Sequence, residues 1–409
     1  MDANTPPTNG RTDDETDGRL RDETDGRTGE RPRDETDGRT GERTDGGAVA
    51  RPADHAVDAD ALLTVDDLSV RFDGRDGPVD AVDGVSFAVD RGETVCLVGE
   101  SGSGKTATCE AITGLVAEEG GTVGGRVTFD GRRLTDLGPG ELREVRGDRI
   151  AHVFQDPEGA LDPVYTVGEQ IVESIRYHRD VPRAAARERA VELLDKVGIP
   201  EPATRIDEYP HEFSGGMKQR ALVAMALSAD PDLLIADEPT TALDVTIEAG
   251  ILDLFGRLQA EEGLGVLFIT HDFGVVAEVA DRVVVLYGGK VMERGRVEAI
   301  FDRPAHPYTR ALLSCLPGRG DLDPIGGDPV DPRDPPDGCR FEPRCDHATG
   351  ACRSGGQPPE HAVEGASHRA ACVYYGPDHD RSELEADDPA DASGFEFGRD
   401  PAPSGGDER

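Results

Sequence analysis

The sequence contains no tryptophan, and lysine is almost absent from its 409 residues. Only four lysines occur, at positions 105, 196, 218 and 290, so arginine supplies nearly all of the positive charge. Acidic side chains number 83 against 44 basic ones, which gives a formal net charge of −39. Because the phosphate backbone of a nucleic acid repels so acidic a protein, we expect no nucleic acid as its partner.

The acidic excess is spread over the whole chain and is not confined to its two ends. Abundant Asp and Glu with few Lys are typical of proteins that stay soluble in concentrated salt, where screening weakens self-repulsion. The alternative is that acidic terminal segments alone cause the excess, and they account for only part of it. We therefore predict a halophilic protein.

Long apolar runs are also missing. No segment approaches the roughly 18 consecutive apolar residues that a membrane-spanning helix needs. The first ten residues, MDANTPPTNG, lack the charged and apolar regions of a signal peptide. We therefore expect a cytoplasmic protein whose contact with a membrane, if it has one, goes through a partner.

Both ends of the chain are low in complexity. In residues 1–60 the hexad DETDGR recurs at 14–19, 22–27 and 34–39, with almost no apolar residues between the copies. Residues 376–409 are similarly acidic and rich in Pro and Gly. We interpret both segments as disordered, solvating tails.

The segment between the tails alternates short apolar runs with helical patterns. Such alternation predicts an α/β fold with a mainly parallel sheet and helices packed on it. A long helical stretch at 166–229 predicts an inserted helical subdomain. We predict strands at 63–72, 85–89, 94–99, 149–154, 233–237, 265–270 and 283–287, and further helices at 105–116, 243–262 and 273–280.

A glycine-rich loop joins the predicted strand 94–99 to the predicted helix 105–116. It reads Gly99, Glu100, Ser101, Gly102, Ser103, Gly104, Lys105 and Thr106, which matches G-x-x-x-x-G-K-[ST]. The glycines let backbone N–H groups surround a phosphate, and the helix N-terminus attracts the same anion. Lys105 is expected to reach the β- and γ-phosphates, and the Thr106 hydroxyl to bind Mg²⁺. The alternative is a Gly-rich turn with a surface lysine.

A second nucleotide motif closes an apolar strand with two acids. Leu233 to Ala236 are apolar, and Asp237 and Glu238 follow. Asp237 can hold the Mg²⁺ shell, and Glu238 can orient and deprotonate an attacking water. Because many strands end in acids, this motif indicates a nucleotide site only in combination with the phosphate loop.

Between these motifs lies the segment FSGGMKQ at 213–219. It resembles the signature of ATP-binding cassette (ABC) ATPases. Ser214 and the amides of Gly215 and Gly216 open a predicted helix, which makes a second anion site. The resemblance implies that Ser214–Gln219 faces the γ-phosphate of ATP bound to a second cassette, so that two ATP molecules lie between two cassettes arranged head to tail.

The other cassette motifs occur in the expected order, and their roles are implied by the same resemblance. Phe72 matches the aromatic residue that stacks on adenine, although an ordinary core Phe is an equal alternative. Gln155 matches the residue that senses Mg²⁺ or the γ-phosphate and links to the helical subdomain. Asp244, in TALD at 241–244, matches the loop that crosses the dimer interface, and His271 matches the switch histidine.

The segment after the cassette indicates which subfamily of ABC ATPases the chain resembles. AHPYTRALL at 305–313, together with FSGGMKQR and LDPVYTVGEQ at 161–170, resembles the ATPase subunits of dipeptide and oligopeptide importers, and nickel importers share the pattern. The resemblance implies two membrane permease subunits, an external solute-binding protein and a second ATPase subunit. A paralogue is favoured over a second copy as that ATPase subunit. It also implies a peripheral location on the cytoplasmic face of the membrane.

Four cysteines cluster after this segment, at Cys339, Cys345, Cys352 and Cys372. Disulfides are disfavoured in a cytoplasmic ATPase. Four thiolates suit a tetrahedral Zn²⁺ or a [4Fe–4S] cluster, and a site without metal is also possible. Members of the importer family with such a cysteine set bind an iron–sulfur cluster, so the resemblance favours the cluster.

Together these observations predict an ABC-type P-loop ATPase with an antiparallel β subdomain and an inserted helical subdomain. The predicted domains are the cassette at 61–300 and a small Cys-rich C-terminal extension at 301–375. The spacing of the motifs, without a long heptad insertion and with a single cassette, argues against ABC ATPases that act on chromosomes or ribosomes. Those ATPases, and an iron–sulfur redox-regulated ATPase, are the alternatives.

Overall fold

The computed structural model describes residues 61–74, 77–118, 120–241, 243–316 and 325–385. The predicted tail at 1–60 lies outside these residues, as does the part of the predicted C-terminal tail beyond 385. Residues 376–385 are described, and Leu384 is buried there beside Cys372 and Tyr374.

The elements follow one another in a mixed order of strands and helices. The strands are β1 Leu63–Gly74, β2 Gly77–Val89, β3 Thr94–Val98, β4 Gly121–Phe129, β5 Arg132–Arg133, β6 Ile150–Val153, β7 Leu233–Asp237, β8 Gly265–Thr270, β9 Arg282–Tyr287, β10 Lys290–Arg296, β11 His361–Glu364 and β12 His368–Ala370. The helices are α1 Lys105–Thr113, α2 Pro139–Val145, α3 Pro157–Ala160, α4 Val167–His178, α5 Arg183–Lys196, α6 Pro202–Arg205, α7 Gly215–Ala226, α8 Val245–Glu262, α9 Phe273–Val279, α10 Val297–Asp302, α11 Pro307–Ser314 and α12 Ser382–Glu385.

The described strands form two sheets. The smaller sheet is antiparallel, in the order β2-β1-β4-β5. The larger sheet has eight strands in the order β11-β12-β10-β9-β3-β8-β7-β6. Its strands from β9 to β6 pair in parallel, and β10, β12 and β11 continue it in antiparallel pairs. The α/β class and the antiparallel β subdomain are therefore as predicted.

The centre of the larger sheet is covered on both faces. Every residue of β3, β7 and β8 is buried, as expected for parallel strands that are covered on both faces. Because β3, β8 and β7 run parallel, they end at the same edge of the sheet, and the residues that follow them meet there. That edge carries the candidate site.

A group of helices, α3 to α7, is inserted between β6 and β7. Helix α4 begins at a capping box in which Thr166 accepts a hydrogen bond from the Glu169 amide, at 3.1 Å, and Glu169 accepts one in return. Its apolar face packs on α5 and α7, which buries Ile171 and Ile175. The helical insertion thus lies where the sequence predicts it.

Several element boundaries and strands differ from the sequence predictions. Helix α1 ends at Thr113 and not at 116, because Gly114 adopts a left-handed conformation with φ 72° and caps the helix. Strands β4 and β10 were not predicted, since glycines interrupt the first and charged residues the second. The short strands β5, β11 and β12 were not predicted either, and β2 begins at Gly77 and not at 85.

The C-terminal extension is joined to the cassette through a buried carboxylate. Glu293 in β10 is fully buried and accepts hydrogen bonds from the amides of Ala305 and His306, each at 2.8 Å. Its Oε1 also lies 2.8 Å from Nε2 of His368 in β12. Burial lowers the pKa of His306 to about 3, so this imidazole is neutral and its Nδ1 accepts from the Tyr308 amide. One strand of the cassette therefore holds two separate parts of the extension.

Candidate nucleotide site

The glycine-rich loop between β3 and α1 has the backbone of an anion cradle. Gly99, Gly102 and Gly104 adopt φ values of 155°, 78° and 100°. A Cβ at Gly99 would lie 2.1 Å from the Leu286 carbonyl oxygen, and one at Gly104 would lie 2.4 Å from that of Ala81. Both contacts exclude any side chain, so the close approach of neighbouring backbone requires glycine here.

Lys105 lies inside the loop and is 5% exposed. Its Nζ donates to the carbonyl oxygens of Gly99, at 2.8 Å, and Glu100, at 3.0 Å. Burial lowers the pKa of Lys105, although the nearby charges of Glu238 and Asp237 act in the opposite direction. Ser103 is also buried, and its Oγ has no hydrogen-bond partner among the described residues. A buried ammonium and an unpaired hydroxyl in a ring of amides suit a phosphate ligand.

Thr106 and Asp237 meet at the carboxyl edge of the sheet. The Thr106 hydroxyl donates to Asp237 Oδ1 at 3.5 Å, and Asp237 is 4% exposed. Burial raises the pKa of Asp237. A hydroxyl beside a carboxylate, next to a phosphate cradle, is the oxygen set that Mg²⁺ prefers.

Glu238 is the meeting point of three loops. Its Oε2 accepts hydrogen bonds from Gln155 Nε2 and Thr241 Oγ1, each at 3.0 Å, and its Oε1 lies 3.3 Å from His271 Nδ1. The backbone at Glu238 is left-handed, with φ 45°, a strained conformation for a residue other than glycine. The structure therefore brings together three sequence-predicted residues from separate segments, and it adds Thr241, which the sequence reasoning missed. Gln155 contacts Glu238 here, whereas Thr106 and Asp237 pair with each other.

Phe72 is half-buried near the end of β1 and packs partly against the apolar core. Its ring lies over Gly121 of β4, where a Cβ would come within 2.8 Å of the ring. The Phe72 ring at the end of β1 is therefore partly packed against the core and partly exposed to solvent. Both sequence interpretations, adenine stacking and core packing, are compatible with this position.

The signature segment opens α7 as predicted. Ser214 caps the helix, and its hydroxyl accepts from the Met217 amide at 3.4 Å. Ser214 and Gly215 are exposed, whereas Gly216 is buried and a Cβ there would meet Ile247 at 2.3 Å. Gln219 is 1% exposed, so its side chain lies inside the helical packing and not on the surface beside Ser214.

Asp244 lies at the start of α8. Its carboxylate accepts hydrogen bonds from the amides of Thr246, at 3.1 Å, and Ile247, at 3.0 Å. This N-cap fixes the loop that follows Glu238 and Thr241. The neighbouring Val245 is 81% exposed, which is unusual for an apolar residue at a helix start.

The four clustered cysteines line one pocket. Cys339, Cys345, Cys352 and Cys372 share it with His306 and His347. Burial raises the pKa of Cys345 and of Cys372 to about 12, and that of Cys339 to about 11. No group of three or more His, Cys, Asp or Glu side chains in the described parts of the chain could hold a metal ion. The four cysteines thus line a common pocket.

Two residues of the extension contact the phosphate loop, and sequence reasoning missed both contacts. The Tyr308 hydroxyl accepts from the Glu100 amide at 3.0 Å. Arg344 donates to both carboxylate oxygens of Glu100, at 2.6 and 3.0 Å. The only sequence signal at Arg344 is its position next to the clustered Cys345. No local pattern links it to Glu100, which lies 244 positions earlier.

The fold and this site define an ATPase of the ATP-binding cassette class. The family model described as ABC transporter matches residues 82–241, and the one described as oligopeptide/dipeptide transporter, C-terminal region, matches residues 292–352. The dimeric cassette MJ0796, solved in a post-hydrolysis state with ADP and phosphate, is similar with a TM-score of 0.52 and 28% identity, over 58% of this chain and 99% of that one.

Curated relatives are closer in sequence. The probable peptide ABC transporter ATP-binding protein y4tR of Sinorhizobium fredii is 49% identical over 77% of this chain and 95% of its own length. The dipeptide transport ATP-binding protein DppD of Escherichia coli is 47% identical over 72% and 91%. The chain belongs to the family of peptide ABC transporter ATP-binding proteins, which is the family that the sequence motifs indicate.

No helix in the described ranges is long and apolar enough to cross a membrane.

Proposed function

We propose that this chain is the ATP-hydrolysing subunit of an importer that carries dipeptides or oligopeptides across a membrane. Its relatives are named for dipeptide and peptide transport, and the matched C-terminal region is described by the same cargo. The single observation that carries the catalytic part is the contact of Glu238 with Gln155, Thr241 and His271 beside the buried Lys105.

Glu238 is the proposed general base. Its hydrogen bonds hold both carboxylate oxygens at the edge of the phosphate loop, so one oxygen can take a proton from a water in line with the γ-phosphate. His271, which is largely exposed, can turn from Glu238 to the γ-phosphate when ATP binds. Lys105 and the loop amides would neutralise the phosphate charge, and Phe72 would stack on the adenine.

Mg²⁺ is the proposed metal, and the residues present suit it. Thr106 and Asp237 would hold the ion, and Gln155 would join them. Bound there, the ion would neutralise charge on the phosphate oxygens. The buried carboxylate of Asp237 and its hydrogen bond from the exposed Thr106 hydroxyl support this assignment.

A second cassette is the proposed partner at the open side of the site. Ser214 and Gly215 stand exposed at the N-terminus of α7, where they can receive the γ-phosphate held by the partner. Asp244 and the exposed Val245 mark the loop proposed to cross the interface. Gln219 is buried, so we propose for it only a supporting role under the signature. A paralogue is the favoured partner.

The permease is the proposed partner of the helical insertion. Large apolar side chains are exposed there, as expected for a surface that another protein covers. Five of them lie in residues 154–209: Phe154, Val164, Tyr165, Tyr177 and Tyr209. Phe154 directly precedes Gln155, so a permease segment docked there would touch the residue that contacts Glu238. This assembly would place the chain on the cytoplasmic face of the membrane.

For the four-cysteine pocket we propose a [4Fe–4S] cluster in preference to Zn²⁺. Four thiolates could also bind a tetrahedral Zn²⁺, and the resemblance to importer ATPases with such a cysteine set favours the cluster. A cluster is wider, and its four cysteine ligands stand around it, as these four stand around one pocket. Ligation would require the buried thiols to lose their protons, which the positive charge of the iron would favour.

The experiment is co-purification of the tagged full chain from membranes under anaerobic, high-salt conditions. Mass spectrometry of bound proteins and an absorption spectrum of the eluate are read together. We expect a membrane permease, a second ATPase subunit, and broad absorbance in the visible blue with stoichiometric iron. A ribosomal or DNA-associated partner would contradict the transport function, and a colourless, zinc-containing protein would contradict the cluster. ATPase activity that depends on redox state without any permease would favour the redox-regulated alternative.

A further inference from the structure

Glu100, the second residue of the phosphate loop, is held by the C-terminal extension. Its carboxylate and the Arg344 guanidinium form a two-pronged pair, with nitrogen–oxygen distances of 2.6 and 3.0 Å. The Arg344 side chain is 4% exposed, so solvent and salt screen this pair less than a surface pair. Two parallel hydrogen bonds of this kind fix the orientation of the Glu100 carboxylate relative to the guanidinium as well as the distance between them.

Arg344 is itself fixed by its surroundings. Its Nε donates to the Gly326 carbonyl oxygen at 2.9 Å, and its Nη1 also reaches the Tyr287 hydroxyl at 3.2 Å. The guanidinium lies over the rings of Tyr287 and Phe341, at 5.6 and 5.9 Å from their centroids. The arginine therefore holds Glu100 from a rigid position.

The backbone of Glu100 is held on both sides. Its amide donates to the hydroxyl of the buried Tyr308 at 3.0 Å, and its carbonyl oxygen accepts from Lys105 at 3.0 Å. The side chain and the amide of one loop residue are thus bound by the extension, while its carbonyl is bound by the lysine expected to hold phosphate.

We propose that the C-terminal extension sets the shape and charge of the phosphate loop through Arg344, which acts as a positioning residue for ATP binding. Arg344 orients Glu100 and cancels a carboxylate charge that would otherwise repel the triphosphate. Arg344 directly precedes Cys345, so the residue that holds Glu100 is the chain neighbour of a residue that lines the four-cysteine pocket. This inference rests on the proposed role of Gly99–Thr106 in phosphate binding.

The test compares variants of the full chain, purified with its cysteine pocket intact. Binding of a non-hydrolysable ATP analogue with Mg²⁺ is measured by calorimetry, because the chain has no tryptophan for intrinsic fluorescence. We expect Arg344→Met to weaken binding about tenfold and to raise KM for ATP by a similar factor, with kcat changed less than twofold. Binding within twofold of wild type would overturn the proposal.

A second variant separates charge from general damage. Arg344→Met combined with Glu100→Gln removes the uncancelled carboxylate, so we expect binding to recover to within about threefold of wild type. A double variant that binds as weakly as Arg344→Met alone would overturn the proposal.

Arg340→Met is the matched control in the same extension. Arg340 is also largely buried and pairs at 3.0 Å with Asp83 of β2, which is not a residue of the phosphate loop. We expect it to lower the melting temperature as much as Arg344→Met without weakening ATP binding, and an equal loss of binding would overturn the proposal. Lys105→Ala tests the underlying site separately: unchanged binding there would refute the phosphate site itself, whatever Arg344 does.

Discussion

The cassette and the C-terminal extension differ in the contacts that hold each of them in place. The cassette is built on strands such as β3, β7 and β8, in which every residue is buried and apolar contacts dominate. The described part of the extension consists of short turns, helices and strands. It is joined to the cassette by the buried polar groups of Glu293 and Arg344 and by the packing of Tyr308 and Phe341 on Tyr287 of β9. The cassette therefore supplies a rigid frame for catalysis. The extension adds buried polar contacts to its apolar packing on that frame, and one of these polar contacts, from Arg344 to Glu100, reaches the phosphate loop.

The largest expected effect concerns the cassette. Glu238→Gln keeps the size of the side chain but removes the base, so we expect ATP turnover to fall at least a hundredfold while ATP binding and ATP-dependent dimerisation persist. Phosphate release and size-exclusion chromatography with ATP measure the two properties. Glu188→Gln, an exposed glutamate on α5, is the control and should turn over normally. Turnover near wild type in Glu238→Gln would refute Glu238 as the base.

The second prediction tests how the two regions are fastened. Glu293→Ala leaves two buried amides and His368 without their acceptor, and we expect the local unfolding free energy of the extension to fall by about 3 kcal/mol. Hydrogen exchange should then speed up in β11 and β12 but not in β8.

Leu267→Ala in β8 is the matched variant for the cassette. Leu267 is fully buried, so its truncation should lower the stability of the whole cassette by about 2–5 kcal/mol. If Glu293→Ala instead loosened β8 as much as β12, the two regions would form one cooperative unit, and the contrast drawn between them would be wrong.

The third prediction concerns the pH response of the pocket in metal-free protein. The folded-state pKa values of Cys339, Cys345 and Cys372 are raised to about 11, 12 and 12, above the value of about 8.5 for an unfolded thiol. A raised thiol pKa contributes stability that is fully present below pH 8.5 and is lost as the pH rises towards 11–12. Thermal melts across pH 8 to 11 should therefore show a falling melting temperature.

Two variants check the source of that slope. Cys345→Ser does not titrate in this range and should make the fall less steep. Cys315→Ser, at an exposed cysteine outside the pocket, should leave the slope unchanged. Equal slopes in wild type and Cys345→Ser would exclude the pocket thiols as the cause.

The smallest expected effect is that of the N-terminal segment. Removing residues 1–55, which lie outside the described ranges, should change ATP turnover less than twofold, because the repeats offer almost no apolar surface to pack on the cassette. A loss above fivefold would show that this segment does more than solvate the protein.

The same contrast explains what the sequence could predict. Strands β7 and β8 were predicted to the residue, because each is an unbroken apolar run between clear boundaries. The phosphate loop and the residues around Glu238 follow strand ends, so a parallel sheet alone brings them together. Thr241 was not assigned to Glu238, because its contact depends on the strained turn at Glu238.

The extension could not be predicted in this way. Strand β12 has three residues and pairs with β10, about 75 positions earlier, and no local period marks such a pair. Arg344 looks like one of forty arginines in the sequence, and its partner Glu100 is known only from the fold. Local motifs are readable from sequence, whereas contacts made by polar groups across long separations need the structure.

Peptide uptake by the cells that naturally produce this chain tests the proposed import function most directly. Cells lacking this chain are complemented with the wild type or with Glu238→Gln, and entry of a radiolabelled dipeptide and a longer peptide is measured. We expect deletion to abolish ATP-driven uptake of at least one peptide, the wild type to restore it, and Glu238→Gln not to restore it. Uptake unchanged by the deletion, or restored equally by Glu238→Gln, would contradict the account.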